Sequence, residues 1–288
     1  MRKIPIFYHI PKNAGTYVSD WTMIALRHYR RTYTNWLKVY TPERDSIKHL
    51  QVIKDNFIIA KILVLDLDYY CESYPKFIAK HSKTEWDINV EHVTQELLGN
   101  VFLFSVIVES HGFEFRHEIL ELFKEYNLCQ FLILRDPFSR AQSIYNYNTS
   151  EKSINDYSNG LIESKSFEGY LMSDQLEDSW LIRKLLNVND REGLTEYHLE
   201  RALEILKNFK VYNIKDTDKS IQETFLECYE FDTQQIELRP LDTFTRNQTS
   251  KEKLNFESLA IKSQEIFRIR TELDNKLYNA FIKNVRSK

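Results

Sequence analysis

Short apolar runs and helical patterns alternate along most of the chain. Continuous segments rich in β-branched and aromatic residues predict buried strands at 4–10, 101–108, 130–134 and 209–214. The apolar stretch 56–67 fits either a strand or a helix, and its β-branched content favours a strand. Because strands that alternate with helices build parallel sheets covered on both faces, we expect an α/β fold with a parallel sheet.

Helical periodicity fills the gaps between these runs. One helix is predicted to begin near Thr16, and the others are predicted at 114–126, 137–147, 195–208, 217–229 and, as one long helix, 255–282. Residues 149–193 are polar and lack a clear period, so we interpret them as a substrate-side helical insertion. A chain of 288 residues is within the size of one α/β domain. We therefore predict a single domain over 1–288.

Composition and charge narrow the class of protein. The chain is 42% hydrophobic and 14% aromatic, which is too apolar for a disordered chain. A formal charge of −3 and a pI near 6.3 argue against nucleic acid as a partner. Cys71, Cys129 and Cys228 are odd in number and far apart, which suggests no disulfide framework and no zinc site. With no signal peptide and no membrane-spanning run, we expect a soluble cytoplasmic protein.

The first candidate site is the loop His9-Ile-Pro-Lys-Asn-Ala-Gly-Thr16, between the first predicted strand and its helix. Backbone N–H groups and Lys12 meet there at the positive end of a helix, an arrangement that binds anions. The loop is not a Walker A motif, because Lys12 precedes Gly15 instead of following it. On this motif alone, an ordinary strand-to-helix turn with a surface lysine is the alternative.

The second candidate site is Leu134-Arg-Asp-Pro-Phe-Ser-Arg-Ala-Gln-Ser-Ile-Tyr145, again at the end of a predicted strand. Arg135 follows the carboxyl end of that strand, where open α/β sheets bind ligands, and Ser143 lies two turns into the helix. An arginine fork and a hydroxyl together suit a phosphate group. The alternative is that Arg-Asp-Pro only caps the helix and forms an ion pair.

Together, and in this order, the two segments resemble the cofactor loops of sulfotransferases that use 3′-phosphoadenosine 5′-phosphosulfate (PAPS). The closest resemblance is to the Golgi-type carbohydrate O-sulfotransferases and their bacterial relatives. It implies a P-loop-NTPase-like domain, with a parallel sheet of about five strands flanked by helices. It also implies transfer of a sulfuryl group from PAPS to an acceptor hydroxyl, with no metal ion.

The resemblance also assigns roles to individual residues. Lys12 would be a catalytic residue that binds the phosphosulfate bridge, and Arg135 and Ser143 would hold the 3′-phosphate. The rest of the first loop would supply cofactor-binding groups, namely Asn13, Ala14, Gly15, Thr16 and Tyr17.

Two further segments extend the resemblance along the chain. Trp180-Leu-Ile-Arg-Lys-Leu-Leu186 is similar to a family helix with the pattern Asn-x-x-Thr-Arg-x-Leu, although Trp180 replaces the Asn and Ile182 the Thr. Arg183 is therefore a lesser candidate. Arg246-Asn-Gln-Thr-Ser is similar to a late cofactor loop and adds Arg246 and Thr249 as cofactor-binding candidates. An ordinary helix N-cap is the alternative for this segment.

Sulfuryl transfer needs a base that accepts the proton of the acceptor hydroxyl. His111 follows a predicted strand in Val108-Glu-Ser-His-Gly112, and its neutral imidazole can take a proton near neutral pH. Glu109 and Glu114 are the alternative bases, and a helix cap is the alternative role for His111. His9 is closer to the first loop, where we expect it to orient the backbone.

The charge pattern bears on the acceptor. Residues 151–200 hold 11 Asp and Glu against 5 Lys and Arg, which disfavours a polyanionic acceptor. We expect a neutral or weakly charged carbohydrate or a small alcohol. Two other functions remain open from the residues: a small-molecule kinase on the same fold, and a nucleotide- or carbohydrate-binding protein without catalysis.

Overall fold

The structure is a computed structural model that describes residues 3–23, 47–65, 85–100, 102–108, 113–150, 162–189, 193–229 and 254–285. Its strands are β1 (Lys3–Tyr8), β2 (Ile47–Lys54), β3 (Phe57–Leu65), β4 (Glu85–Asn89), β5 (Phe102–Val108), β6 (Asn127–Leu134) and β7 (Lys210–Asn213). They form one mixed sheet, mostly parallel and flanked by helices, in the order β4-β2-β3-β5-β1-β6-β7. The predicted α/β class is confirmed.

Ten α-helices are described. They are α1 (15–23), α2 (Gln95–Asn100), α3 (Arg116–Leu122), α4 (Pro137–Asn148), α5 (Phe167–Met172), α6 (Trp180–Leu186), α7 (Glu196–Leu206), α8 (Thr217–Tyr229), α9 (Ile261–Arg270) and α10 (Glu272–Val285). None of the helices in these parts of the chain is both long enough and apolar enough to cross a membrane.

Strand β1 lies at the centre of the parallel part of the sheet. It pairs in parallel with β5 on one side and β6 on the other, so that Phe7 is opposite both Ile107 and Phe131. The side chains of β1 from Ile4 to Tyr8 are buried, as expected of a strand covered on both faces. The loop that follows β1 therefore leaves the sheet beside the carboxyl ends of two neighbouring strands.

The prediction of an entirely parallel sheet is wrong at β3. This strand runs antiparallel to both β2 and β5. The cause is a tight turn at Asp55 and Asn56, whose φ angles of 50° and 66° are both left-handed. A two-residue turn of this kind joins antiparallel neighbours, whereas a parallel pair needs a long crossover.

The C-terminal helical prediction is also wrong in part. The region 255–282 is not one long helix. A short 3₁₀ turn at Phe256–Ser258 precedes α9, and the helix is interrupted at Thr271, between α9 and α10. The Thr271 hydroxyl donates a hydrogen bond to the carbonyl of Phe267 at 2.7 Å. Back-bonding of this kind bends or interrupts helices.

The chain forms two compact units, each made of two sequence segments. The first contains residues 1–133 and 215–239, and the second contains residues 134–214 and 240–288. The central strands supply the core of the first unit. Aromatic side chains dominate a core cluster in the second, including Tyr145, Phe167, Tyr170 and Phe267. Residues 162–189 of the predicted insertion contribute α5 and α6 to this second unit.

Candidate functional site

The loop after β1 has an unusual backbone. The N–H of His9 donates to the carbonyl of Val108 at 2.9 Å, so pairing with β5 continues just past the end of β1. Lys12 and Ala14 then adopt left-handed φ angles of 68° and 62°. Residues other than glycine pay an energetic cost in this conformation, and such strain is concentrated at functional sites.

Two contacts hold this loop in place within the first unit. The side-chain amide of Asn13 is buried and donates to the carbonyl of Ile133 in β6 at 2.8 Å. The ring of His9 packs directly against Gly15, where an added Cβ would lie 1.9 Å from the histidine Nε2. A side chain at position 15 would therefore have to displace the His9 ring, which packs against the loop at this point.

The beginning of α1 offers unused backbone donors. The first hydrogen bond of this helix runs from the N–H of Val18 to the carbonyl of Ala14 at 3.0 Å. Among the described residues, no group accepts a hydrogen bond from the N–H of Ala14 or Gly15. N–H groups at a helix start, next to left-handed residues, form a concave site for anions. The half-buried Lys12 lies in the same loop.

Tyr17 has a more restricted role than its motif suggests. Its side chain is buried, and its hydroxyl donates a hydrogen bond to the carboxylate of Asp218 in α8. Burial, together with this carboxylate, raises the pKa of the Tyr17 hydroxyl well above its usual range. The hydroxyl is thus engaged inside the first unit, which disfavours the role of hydroxyl donor to a ligand that the motif suggests for Tyr17.

The second candidate site belongs to the second unit and has a different construction. Asp136 is the N-cap of α4, and its carboxylate accepts hydrogen bonds at 2.9 Å from both the N–H and the hydroxyl of Ser139. Pro137 occupies the first helical turn. Asp136 therefore has the capping role that the sequence left open, while burial lowers the pKa of the neighbouring Arg135 guanidinium.

Arg140 lies one turn into α4, three positions before the half-buried Ser143. The guanidinium carbon of Arg140 is 3.6 Å from the centre of the Trp180 ring, close enough for a strong cation–π contact. Burial lowers the pKa of Arg140 to about 10, although the nearby Asp274 opposes the shift. This residue was not predicted as part of a site.

Asp274 is a buried carboxylate in α10 that was not predicted as part of a site. It accepts hydrogen bonds from the N–H groups of Leu181 and Ile182, at 3.0 Å and 3.1 Å, and so caps α6 from another helix. Burial raises the pKa of Asp274 to about 6, against the effect of these bonds and of two arginines, Arg140 and Arg183. No local motif marks such a residue, because its partners lie in distant parts of the chain.

Arg183 is buried, and two of its side-chain nitrogens donate hydrogen bonds within the second unit. Its guanidinium donates to the carbonyl of Asp178 at 2.8 Å and to the carbonyl of Asn189 at 2.6 Å. These two bonds join the beginning and the end of α6. These contacts favour a structural role for Arg183 over a role as a cofactor ligand.

Most of the remaining predicted site residues lie outside the part of the chain that the structure describes. His111, Glu109, Arg246 and Thr249 lie outside the described residues. Glu114 is described and is exposed just before α3. In the parts of the chain that the structure describes, no group of three His, Cys, Asp or Glu side chains is arranged to hold a metal ion.

Comparison with known proteins identifies no relative. No family model matches the chain, no curated protein matches its sequence, and no solved structure matches its fold.

Proposed function

We propose that the protein is a sulfotransferase that moves a sulfuryl group from PAPS to a hydroxyl of an acceptor molecule. The observation that carries the proposal is the loop after β1, where Lys12 and Ala14 are left-handed and the N–H groups of Ala14 and Gly15 lack partners among the described residues. Such a loop suits phosphate or sulfate oxygens. The resemblance of two sequence segments to PAPS-binding loops supports the choice of nucleotide.

In this proposal the first loop holds the 5′-phosphosulfate. An acceptor oxygen attacks the sulfur, the bond from sulfur to the bridging oxygen breaks, and its electron pair stays on the 5′-phosphate. Lys12 stabilises the negative charge that develops on the bridging oxygen. The acceptor's proton passes to a base, for which His111 is the candidate and Glu109 and Glu114 are the alternatives.

Arg135 and Ser143 are the proposed ligands of the 3′-phosphate. The Arg135 guanidinium can form two parallel hydrogen bonds with phosphate oxygens, and the Ser143 hydroxyl can add a third. Because Asp136 already accepts the N–H of Ser139, the backbone at this helix start contributes less than it does in the first loop. Side chains would therefore carry the recognition of the 3′-phosphate.

The proposed acceptor is a neutral or weakly charged carbohydrate or a small alcohol. The acidic excess of residues 151–200, 11 acidic against 5 basic side chains, would repel a polyanionic acceptor. The proposed chemistry needs no metal ion, because the charge of Lys12 and backbone donors serve the leaving group.

Nucleotide binding provides the first test. Titration calorimetry would compare adenosine 3′,5′-bisphosphate with adenosine 5′-phosphate, which lacks the 3′-phosphate. The bisphosphate is expected to bind about 10 to 100 times more tightly, the range for hydrogen bonds to a charged group. Equal affinity for the two nucleotides would contradict the proposed 3′-phosphate site.

Turnover provides the second test. With PAPS and an acceptor found by screening neutral sugars and alcohols, Lys12→Ala is expected to lower turnover about 10²- to 10³-fold and nucleotide affinity much less. The matched control is Lys3→Ala in the same unit, which removes a surface ion pair with Glu227. Tight nucleotide binding by the wild type, without turnover on any acceptor, would instead favour a nucleotide-binding protein.

A further inference from the structure

A connected group of buried and half-buried polar side chains in the second unit is not used by the proposed reaction. It consists of Arg140, Trp180, Arg183 and Asp274, which we call the Asp274 cluster. Asp274 is 5% exposed and Arg183 is 7% exposed, so both charges are almost removed from water. Burying charges costs free energy unless they are paired, so a cluster of this kind needs an explanation.

Arg140 is poorly placed to serve as a ligand itself. One face of its guanidinium is covered by the Trp180 ring at 3.6 Å. Its Nε is buried and has no hydrogen-bond partner among the described residues. Asp274 is the negative charge that most strongly opposes the fall in the pKa of Arg140. These contacts direct Arg140 towards other helices of its own unit.

Asp274 replaces the missing cap of α6. The residue before this helix, Ser179, is left-handed with φ 45° and makes no side-chain capping bond. The carboxylate of Asp274 instead accepts the N–H groups of Leu181 and Ile182. It therefore fixes the start of α6, and with it Trp180, the residue on which Arg140 stacks.

Fixing Arg140 also fixes the orientation of α4. Residues three apart on a helix lie on the same face, so the side chains of Arg140 and Ser143 are neighbours on α4. Arg135 immediately precedes the Asp136 cap of the same helix, and the positive charge of Arg135 is near enough to lower the pKa of Arg140. Rotation of α4 would thus displace both proposed ligands of the 3′-phosphate.

We propose that Asp274 and Trp180 are positioning residues: through Arg140 they hold α4 so that Arg135 and Ser143 can bind the 3′-phosphate together. The inference rests on the proposed function, because it assigns a structural support to the nucleotide site proposed there. It goes beyond that function by placing the determinants of 3′-phosphate specificity on α6 and α10, which supply none of the proposed 3′-phosphate ligands.

A purely electrostatic role for Asp274 makes the opposite prediction. Its negative charge lies near Arg140 and Arg183 and offsets part of their field. If that were its only effect, Asp274→Asn would leave more positive charge and would strengthen the binding of every anionic nucleotide. A positioning role predicts weaker binding, and only for the nucleotide that carries a 3′-phosphate.

The experiment measures the affinities of adenosine 3′,5′-bisphosphate and adenosine 5′-phosphate by calorimetry for each variant of the full chain. Asp274→Asn and Trp180→Ala are expected to reduce the preference for the bisphosphate about five- to tenfold, the size of coupling between residues in contact. The affinity for adenosine 5′-phosphate should stay within about twofold. Trp180→Phe keeps an aromatic face for Arg140 and should retain most of the preference.

Leu206→Ala is the matched control, because it empties a fully buried position in α7 of the same unit and replaces no member of the Asp274 cluster. The proposal is overturned if this control lowers the preference as much as Asp274→Asn does, since general loosening would then explain the loss. It is also overturned if Asp274→Asn leaves the preference unchanged or tightens both nucleotides. If the wild type itself shows no preference, the proposed function fails first, and the inference fails with it.

Discussion

The two strand-to-helix junctions of this chain are built in opposite ways. After β1, the loop that leads into α1 has left-handed residues at Lys12 and Ala14, and the N–H groups of Ala14 and Gly15 have no partner among the described residues. After β6, the start of α4 is closed by Asp136, which accepts the N–H of Ser139. The first junction leaves two backbone donors without a partner in the part of the chain that the structure describes, whereas the second uses a donor internally.

This difference determines how each junction could recognise an anion. A backbone cradle is set by φ angles and close contacts, so its geometry is sensitive to added side-chain volume. A capped helix start is stable on its own and must rely on long side chains such as Arg135, which need support from neighbouring elements. The same kind of ligand group would therefore be bound by shape at one junction and by side-chain placement at the other.

The largest expected effect is that of Gly15→Ala in the first junction. The new Cβ would lie 1.9 Å from the His9 Nε2, so the ring must move, and unfolding measured with urea should show a loss of about 1–3 kcal/mol, the range for overpacking. His9→Ala in the same chain should restore most of the loss by removing the ring. Gly193→Ala is the control, because nothing lies within 4 Å of its added Cβ. If Gly15→Ala were as stable as the wild type, the contact between His9 and Gly15 would not restrict the geometry of the first loop.

The next effect concerns the pH dependence of stability. It tests the buried charge of Asp274 in the second unit, whereas the first junction relies on uncharged backbone groups. Burial raises the pKa of Asp274 to about 6, whereas an unfolded aspartate titrates at about 3.9. The folded chain therefore binds this proton more tightly, so the contribution to stability is present below pH 4 and is lost as the pH rises through 6.

Between pH 4 and pH 7.5, the unfolding free energy of the wild type should fall by about 2 kcal/mol relative to that of Asp274→Asn. This fall is slightly less than the full pKa shift implies. Urea unfolding of both proteins at the two pH values provides the measurement. Parallel pH profiles for the two proteins would mean that Asp274 does not titrate differently in the folded state.

Arg135→Ala should weaken the binding of adenosine 3′,5′-bisphosphate by about 2 kcal/mol, within the range for a hydrogen bond to a charged group. It should leave adenosine 5′-phosphate nearly unaffected. Lys12→Ala should weaken both nucleotides to a similar extent, because both carry the 5′-phosphate. If calorimetry showed the same loss of affinity for both nucleotides in both variants, it would contradict the proposal that the first junction binds the 5′-phosphate and the second the 3′-phosphate.

The smallest effect is expected for Asp136→Ala, which removes the cap of α4. Loss of an N-cap costs about 1 kcal/mol of stability. Thr195→Ala, which removes the capping box at the start of α7, is a matched control of similar size in the same unit. Asp136→Ala should also weaken binding of the bisphosphate, whereas Thr195→Ala should not. A similar effect of both variants on nucleotide binding would indicate that the α4 cap has only a structural role.

The sequence predicts best those elements whose signal is local. β1, β5 and β6 are continuous apolar runs because both faces of a parallel strand are buried. β2 and β4 were missed because polar residues interrupt them; Gln51, for example, is buried within β2. The antiparallel direction of β3 follows from the tight turn at Asp55 and Asn56, and that turn was not recognised as a hairpin because β2 before it was missed.

The candidate site divides in the same way. The glycine and lysine of the first loop are visible in the sequence, since anion-binding loops need these residue types. The engagement of the Tyr17 hydroxyl by Asp218 and the capping of α6 by Asp274 were not predicted. Both contacts join residues that are far apart along the chain, so only the folded structure reveals them.

The tight turn at Asp55 and Asn56 has a consequence for the order in which the sheet assembles. It places β2 and β3 side by side with almost no loop to close, so this hairpin can form within microseconds of collapse. β1, in contrast, must find partners in β5 and β6 that are about a hundred or more residues away, at a much larger entropic cost. β1, the strand that leads into the first candidate site, is therefore expected to be among the last to join the sheet.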